Sequence, residues 1–179
     1  MSKKVLVIST SPRKGGNSDA LADEFAKGAL SAGHDAEKIN LCDKNLKFCI
    51  GCLSCLDTKK CVIKDDANAI VEKMRTADII AFATPIYYFE MSGQMKTMID
   101  RSNPLYTSDY AFRDIYILSA AAENEDETEE GAVNGLKGWI ACFEKARFAG
   151  SVFAGGVDKK GDIKGHDALK KAYDMGKGL

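Results

Sequence analysis

The stretch DIIAFAT, residues 78 to 84, is an apolar run that follows a single aspartate, and it decides the fold. An apolar run without polar alternation is typical of a strand covered on both faces, as in parallel sheets flanked by helices. A second such run, KVLVIST, occupies residues 4 to 10. We therefore predict a parallel sheet buried between two layers of helices.

Segments with strand and helix character alternate along the rest of the chain, which is typical of βαβ units. Besides the two runs above, strands are predicted at residues 35–41, 114–122 and 148–156. Helices are predicted at residues 18–33, 67–77, 92–102 and 139–147, with a polar helix at the C-terminus. Five strands with interleaved helices predict an α/β three-layer sandwich, whose five-stranded parallel sheet has the doubly wound order 2-1-3-4-5.

The helix ends carry residues that commonly terminate helices. The acidic run ENEDETEE, residues 123 to 130, is interpreted as a solvated connection that leads into a helix, because carboxylates suit a first helical turn. The expected capping residues are Asn17 or Ser18 and Gly33 for the first helix, and Asp65 and Asp66 for the second.

Length and composition favour one domain over residues 1–179, since the chain has 179 residues and 45% apolar side chains. The 25 basic and 26 acidic side chains give a net charge of -1, so no charge surplus indicates nucleic acid. We see no signal peptide and no apolar run of transmembrane length. We therefore expect a cytoplasmic protein without a membrane partner, which acts on small molecules.

The predicted strand order places the ligand site. In doubly wound sheets, ligands bind at the carboxyl ends of the strands near the reversal between the first and third strands. The loops after Thr10, Thr84 and Ser119 should therefore lie together. The cysteine-rich loop at about residues 42–66 leaves the second strand at the same sheet edge, so we expect it beside the crevice.

The loop TSPRKGGNS, residues 10 to 18, lies between a predicted strand and a helix N-terminus, where free backbone N–H groups favour an anion. Its glycines allow close backbone approach, and Arg13 can pair with a phosphate. Lys14 precedes the glycines, so this is not a Walker A loop. The spacing of the glycines does not match a GxGxxG fingerprint either. The loop predicts a phosphate site, with an ordinary turn before a capped helix as the alternative. Hydroxyl and amide donors are expected from Ser11, Asn17 and Ser18.

The segment TPIYYFEMSGQMK, residues 84 to 96, brings aromatic side chains to the predicted crevice. Pro85 stiffens the exit from a buried strand, and Tyr87, Tyr88 and Phe89 could form the wall for a planar ring. Core packing or a subunit contact is the alternative explanation of these aromatics. Nearby, the small side chains that follow Ser119 would let a ligand approach the backbone.

Four cysteines lie within FCIGCLSCLDTKKC, residues 48 to 61. Disulfides, a zinc site, an iron–sulfur site and an empty relic are the alternatives. A reducing compartment disfavours disulfides, and zinc usually joins two separated CxxC pairs. The other two cysteines, Cys42 and Cys142, are expected to be buried small residues. The four clustered cysteines are Cys49, Cys52, Cys55 and Cys61.

Three segments together resemble the NADPH-dependent FMN reductase and iron–sulfur flavoprotein branch of the flavodoxin-like superfamily. They are STSPRKGGNSDALADEF, the cysteine run with its following DD, and ATPIYYFEMSGQMKTMIDR, and the resemblance covers about residues 1 to 125. It implies FMN as the cofactor. The phosphate would lie on Ser9, Ser11, Arg13, Gly16, Asn17 and Ser18, and the ring on Pro85, Ile86, Tyr87, Tyr88 and Phe89, with Ser119, Ala120 and Ala121 completing the ring site.

The resemblance also implies an activity. We expect an FMN-dependent NAD(P)H oxidoreductase that passes electrons to a quinone, a flavin or another small or protein acceptor, in a homodimer or homotetramer. One alternative is a one-electron carrier with a [4Fe–4S] cluster on the four clustered cysteines. The other is a non-catalytic redox-sensing module. Whether the cysteine loop holds a cluster stays open at this point.

Overall fold

The computed structural model describes the backbone of residues 1–179 and every side chain except that of Asp126. The strands are β1 (Lys4–Ser9), β2 (Asp35–Asn40), β3 (Ile79–Tyr87), β4 (Glu90–Met91), β5 (Asp114–Ala120) and β6 (Arg147–Ala154). The helices are α1 (Asn17–Ser31), α2 (Cys55–Thr58), α3 (Ala67–Thr76), α4 (Gly93–Arg101), α5 (Glu130–Ile140) and α6 (Asp167–Lys177).

The sheet confirms the predicted fold class. Its five long strands are all parallel and run in the order β2-β1-β3-β5-β6, which is the predicted order 2-1-3-4-5 when only these strands are counted. The addition is β4, two residues that pair antiparallel with the end of β3. The segment predicted as a loop after residue 84 is therefore a β-hairpin.

Two apolar layers cover the sheet because side chains alternate along each buried strand. Ile80 and Phe82 of β3 pack on the side of α3, α4 and α5, whereas Ala81 packs on the side of α1 and α6. Helices α1 and α6 are unusually close, since a Cβ on Gly28 would lie 2.0 Å from the Tyr173 carbonyl oxygen. The sheet is thus buried on both faces, as the apolar runs predicted.

One helix prediction is wrong. The helix expected at residues 139–147 is α5, which begins at Glu130 and ends at Ile140. A 3-10 helix, Asp126–Glu129, leads into it, so part of the acidic run is helical. The sequence misplaced α5 because its glycines have poor helix propensity, while in the fold two of them pack closely on the β3–β4 hairpin. They are Gly131 and Gly135.

Helix ends and free cysteines bring further corrections. Gly16 occupies the cap position of α1, not Asn17 or Ser18, although Gly33 follows the helix with a φ of +84° as expected. Cys42 and Cys142 are exposed, so the prediction that they are buried is wrong. Cys42 lies in a 3-10 helix, Leu41–Asp43, that follows β2, and Cys142 lies in a turn that follows α5. Across the described residues, no helix combines the length and the apolar character needed to cross a bilayer.

Candidate functional site

The carboxyl ends of β1, β3 and β5 meet at one crevice with a volume of about 150 Å³. It lies where the predicted strand order placed the ligand site. The residues expected at the site that line it are Ser11, Arg13, Gly16, Asn17, Ser18, Pro85, Ile86, Tyr87, Ala120 and Ala121. The others, Ser9, Tyr88, Phe89 and Ser119, lie around this crevice but not in its wall.

The loop before α1 folds into a compact turn. The Ser11 hydroxyl donates to the Arg13 carbonyl oxygen at 2.8 Å, and the Gly16 N–H donates to the same oxygen at 2.9 Å. A Cβ on Gly16 would lie 2.8 Å from Ser11 Oγ, so only glycine fits there. This turn leads directly into the 15-residue α1, whose N-terminal amides and dipole favour an anion.

A hydroxyl in the first turn of α1 has no partner within the described part of the chain. Ser18 is buried, and its Oγ forms no hydrogen bond there. A buried hydroxyl without a partner costs free energy, which a hydrogen-bond acceptor from outside the chain would relieve. A free hydroxyl and a tight glycine turn at a helix N-terminus are features that suit a phosphate group.

Asp19 supports the loop from beneath. Its carboxylate accepts hydrogen bonds from the Gly15 N–H at 2.8 Å and the Lys38 ammonium at 3.0 Å, and Ser9 lies beside it. Burial alone would raise the pKa of Asp19, but the hydrogen bonds from Ser9, Gly15 and Lys38 outweigh it and hold that pKa below its ordinary value. Ser9 therefore lies beside Asp19, beneath the loop, and does not line the crevice.

The lowered pKa of Asp19 predicts a pH dependence. The folded state favours the charged carboxylate, so its contribution to stability is present above the ordinary pKa of 3.8 and is lost as the pH falls through the folded-state pKa. We expect Asp19→Asn to lose less stability than wild type between pH 7 and pH 3, measured by urea unfolding. Asp23→Asn, which alters the exposed partner of Lys38, is the control. An unchanged pH dependence in Asp19→Asn would contradict the assignment.

The aromatic hairpin, residues 86–91, forms the opposite wall of the crevice. Ile86 pairs with Met91 and Tyr87 with Glu90, which leaves a two-residue turn. Tyr88 and Phe89 have φ angles of 51° and 64°, where glycine or asparagine is usual. Each such residue costs about 1–3 kcal/mol of backbone strain, and strain of this kind concentrates at functional sites. Tyr88 is also 99% exposed, so it contacts little within its own chain.

Contacts from three other elements hold the aromatic hairpin in this conformation. The Ser92 N–H donates to Thr84 Oγ1 at 3.0 Å, and Ser92 Oγ lies 3.0 Å from Thr10 Oγ1. Ser92 Oγ also accepts the Met95 N–H and so caps α4. On the far side, a Cβ on Gly131 would lie 2.3 Å from the Phe89 carbonyl oxygen. The hairpin is thus fixed by the residue that follows β1, by the cap of α4 and by α5.

Ser119 lies behind the crevice wall. Its hydroxyl donates to the Glu129 carboxylate, which also accepts the Ser151 hydroxyl at 3.0 Å. Because successive side chains of a strand point to opposite faces, Ala120 faces the crevice while Ser119 faces α5. The small side chains expected beside a ligand are those of Ala120 and Ala121, which line the crevice.

The loop that follows β6 is a part of the site that the sequence analysis missed. Val157 and Asp158 line the crevice, and the Asn17 side chain bonds to the backbone of this loop. The signal was available, because in a parallel sheet the loop after the last strand leaves from the same edge as the others. The resemblance extends only to about residue 125, so it implied no role for this loop.

The cysteine loop divides its four thiols into two kinds. Cys49 and Cys52 are exposed, and hydrogen bonds from the Ser54 amide and hydroxyl lower the pKa of the Cys52 thiol. Cys55 is buried and its Sγ accepts the Asn103 amide at 3.0 Å. Cys61 is half-buried. Among the side chains that the structure describes, no three cysteine, histidine or carboxylate groups come together as a metal site, so this loop conformation does not present a four-thiolate site.

Arg101 anchors the cysteine loop from α4. Its guanidinium donates to both carboxylate oxygens of Asp65, at 2.6 and 2.8 Å, and both side chains are 0% exposed. It also donates to the Lys47 carbonyl oxygen at 2.7 Å, so it joins the two ends of the loop, and Cys61 lies beside it. Burial alone would raise the pKa of Asp65, but hydrogen bonds from Arg101 and from the Lys47 and Ala67 amides hold it below its ordinary value.

Comparison with known proteins decides the family. The profile described as NADPH-dependent FMN reductase matches residues 3–155, which include the phosphate loop, the aromatic hairpin and the cysteine loop. The chain belongs to the NADPH-dependent FMN reductase family. Its parallel sheet, with the crevice at the carboxyl ends of the strands, is the flavodoxin-like arrangement that the sequence predicted. The name phosphate loop denotes the glycine-rich residues 10–18, which lead into α1.

Curated relatives of this reductase-family chain include iron–sulfur flavoproteins. It is 43% identical to iron–sulfur flavoprotein MJ1083 of Methanocaldococcus jannaschii over 102 residues, which are 57% of this chain and 53% of that protein. It is 31% identical, over 94% of both chains, to a Bacillus subtilis protein provisionally named NAD(P)H-dependent FMN-containing oxidoreductase YwqN. The chain spans about half the length of the first curated relatives it matches.

A solved structure confirms the fold of this family member. The NAD(P)H:quinone oxidoreductase from Methanothermobacter marburgensis superposes with a TM-score of 0.74 at 17% identity, covering 100% of this chain and 98% of that one. At this identity, the likeness concerns the fold alone. The phosphate loop and the aromatic hairpin therefore have to be interpreted from the residues of this chain.

Proposed function

We propose that the protein is an FMN-dependent oxidoreductase that takes reducing equivalents from NAD(P)H and passes them to a small acceptor such as a quinone or a flavin. The observation that carries the proposal is the buried Ser18 hydroxyl, unpartnered within the described chain, at the start of α1. Ser18 lines a crevice whose other wall is the aromatic hairpin. A phosphorylated ring compound satisfies both ends of such a site, and family membership agrees with FMN.

The chain's own residues would bind and orient the cofactor. The amides of the glycine turn, the Ser18 hydroxyl and Arg13 would hold the phosphate, and Pro85 and Tyr87 would contact the ring. When bound, FMN accepts a hydride and gives up electrons, so no side chain has to act as a nucleophile. The protein would then position the cofactor and control which molecules reach it.

The size of the crevice suggests how the cofactor is arranged. Its 150 Å³ lies below the usual range of about 300–1,000 Å³ for ligand pockets. The phosphate end of FMN would occupy the crevice, and the ring would extend along the exposed face of the aromatic hairpin. A second subunit could cover that face, so a homodimer or homotetramer remains our expectation.

Substitution of Ser18 tests the proposed function. We expect wild-type protein to bind FMN and become yellow, and Ser18→Ala to weaken FMN binding by about tenfold or more, the value of a hydrogen bond to a charged group. Riboflavin, which lacks the phosphate, should bind both proteins equally. Stability without ligand should not fall, because Ser18 Oγ has no partner in the described chain to lose.

The readouts for this test are fluorescence titration with each flavin and NAD(P)H oxidation in the presence of a quinone. Protein that stays colourless after addition of FMN would overturn the proposed function. Flavin binding without turnover by either nicotinamide would remove the enzymatic part alone.

The second candidate is an iron–sulfur flavoprotein that carries single electrons. The cysteine spacing and the likeness to MJ1083 favour it. Because Asn103 contacts Cys55 and Arg101 lies beside Cys61, the exposed segment with Cys49 and Cys52 would have to move toward them. Iron analysis and a visible spectrum after anaerobic purification distinguish the two candidates, since protein free of iron under those conditions is no cluster carrier.

A further inference from the structure

The loop that follows β6 packs against the phosphate loop. We name residues 157–163 the clamp loop. It begins after residue 155, where the family match ends, so family membership assigns no role to it. Its first residues, Val157 and Asp158, line the crevice together with Ser18. The clamp loop therefore belongs to the same site by position.

Asn17 joins the two loops through its side chain. Its amide nitrogen donates to the carbonyl oxygens of Val157 at 3.3 Å and Lys159 at 3.0 Å. Its amide oxygen accepts the N–H groups of Gly161 at 3.1 Å and Ile163 at 3.5 Å. Because both the nitrogen and the oxygen of this amide form hydrogen bonds, Asn17, the first residue of α1, fixes the position of the clamp loop.

In this position, the clamp loop places the Lys160 ammonium beside the phosphate loop. The Lys160 Nζ and Cε atoms lie 3.5 and 3.4 Å from the position that a Cβ on Gly15 would take. Within the described side chains, Lys160 makes no ion pair. Of the carboxylates on these loops, Asp162 accepts the Asp158 and Lys159 amides and Asp43 pairs with Lys14, whereas Asp158 lines the crevice itself.

We propose that the clamp loop is part of the cofactor site and that Lys160 pairs with the phosphate of bound FMN. The inference rests on the proposed function. It is supported by charge: a phosphate monoester carries about −1.5 to −2 at neutral pH, whereas the helix N-terminus supplies only about +0.5 and Arg13 one positive charge. The Asp158 carboxylate, which also lines the crevice, adds one negative charge, so a second cation brings the site close to neutrality, and Lys160 lies beside the phosphate loop where it can supply one.

The test compares Lys160→Gln with Lys164→Gln. Lys164 is an exposed lysine just beyond the clamp loop, and it approaches Gly161 and not the phosphate loop. We expect Lys160→Gln to weaken FMN binding by about five- to tenfold at low salt, and less at high salt because exposed charges are screened. Riboflavin binding should be unchanged in both variants, and Lys164→Gln should bind FMN like wild type.

Three outcomes would overturn the proposal. The first is FMN affinity within twofold of wild type in Lys160→Gln, and the second is an equal loss for FMN and riboflavin, which would make the loop a structural support only. The third is unchanged FMN binding with a raised KM for NADPH but not NADH, which would assign Lys160 to the nicotinamide cosubstrate's phosphate. Wild-type protein that fails to bind FMN would instead refute the proposed function, and this inference with it.

Discussion

Asp65→Asn should lower the free energy of unfolding by about 3–5 kcal/mol, because it leaves the Arg101 guanidinium buried without its counter-charge. The asparagine has almost the same shape, so the loss reports the charge and the hydrogen bonds that the two carboxylate oxygens accept, and not packing. Both side chains are fully buried, and Arg101 still contacts the Lys47 carbonyl oxygen in the variant. Urea unfolding at pH 7, followed by circular dichroism, measures the change.

The matched control for this variant is Asp100→Asn. Asp100 precedes Arg101 on α4 and forms an exposed pair with Lys96, so its loss should cost only about 0.3–0.5 kcal/mol. Asp65→Asn should also release the cysteine loop, so that an alkylating reagent modifies the buried Cys55 faster than in wild type. A loss below 1 kcal/mol with unchanged alkylation would show that Arg101 does not anchor the loop.

Gly131→Ala should both destabilise the fold, by about 1–3 kcal/mol, and weaken FMN binding. The added Cβ would lie 2.3 Å from the Phe89 carbonyl oxygen, so α5 or the aromatic hairpin has to shift. The hairpin carries two strained residues, and displacement would let it relax away from the crevice. Thermal unfolding and FMN titration are the two measurements.

Gly138→Ala supplies the control on the same helix, because nothing lies within 4 Å of the Cβ position at Gly138. Alanine favours a helix over glycine, so this variant should be more stable by about 0.5–1 kcal/mol and bind FMN normally. The two glycine variants therefore have opposite expected signs. If both proved stabilising, the contact between α5 and the hairpin would not exist as described.

The strand order and the placement of the crevice were predictable from the sequence, because both depend on patterns that a buried parallel sheet imposes. Apolar runs such as residues 78–84 identify central strands, and the topology then brings the loops at 10–18 and 84–89 together. The glycine turn at Gly16 was also visible, since its role is local.

Features that depend on distant contacts were not predictable. The turn at Tyr88 and Phe89 lacks the glycine or asparagine that marks such hairpins, because contacts from Ser92 and α5 hold it in place. Helix α5 was misplaced for a related reason, since its glycines serve tertiary packing at the expense of helix propensity. Asp65 was expected only as a helix cap, and its pairing with Arg101 connects residues 36 positions apart.

The single tryptophan of the chain provides an optical reporter of the cysteine loop. The Trp139 indole N–H donates to Ser102 Oγ at 2.9 Å, next to Arg101, and the ring borders a cavity of about 430 Å³ that Cys49 and Leu53 also line. Movement of the loop would change how much of this half-buried fluorophore is in contact with solvent. The wavelength of its emission therefore follows loop rearrangement without any attached label, in a protein with no competing indole.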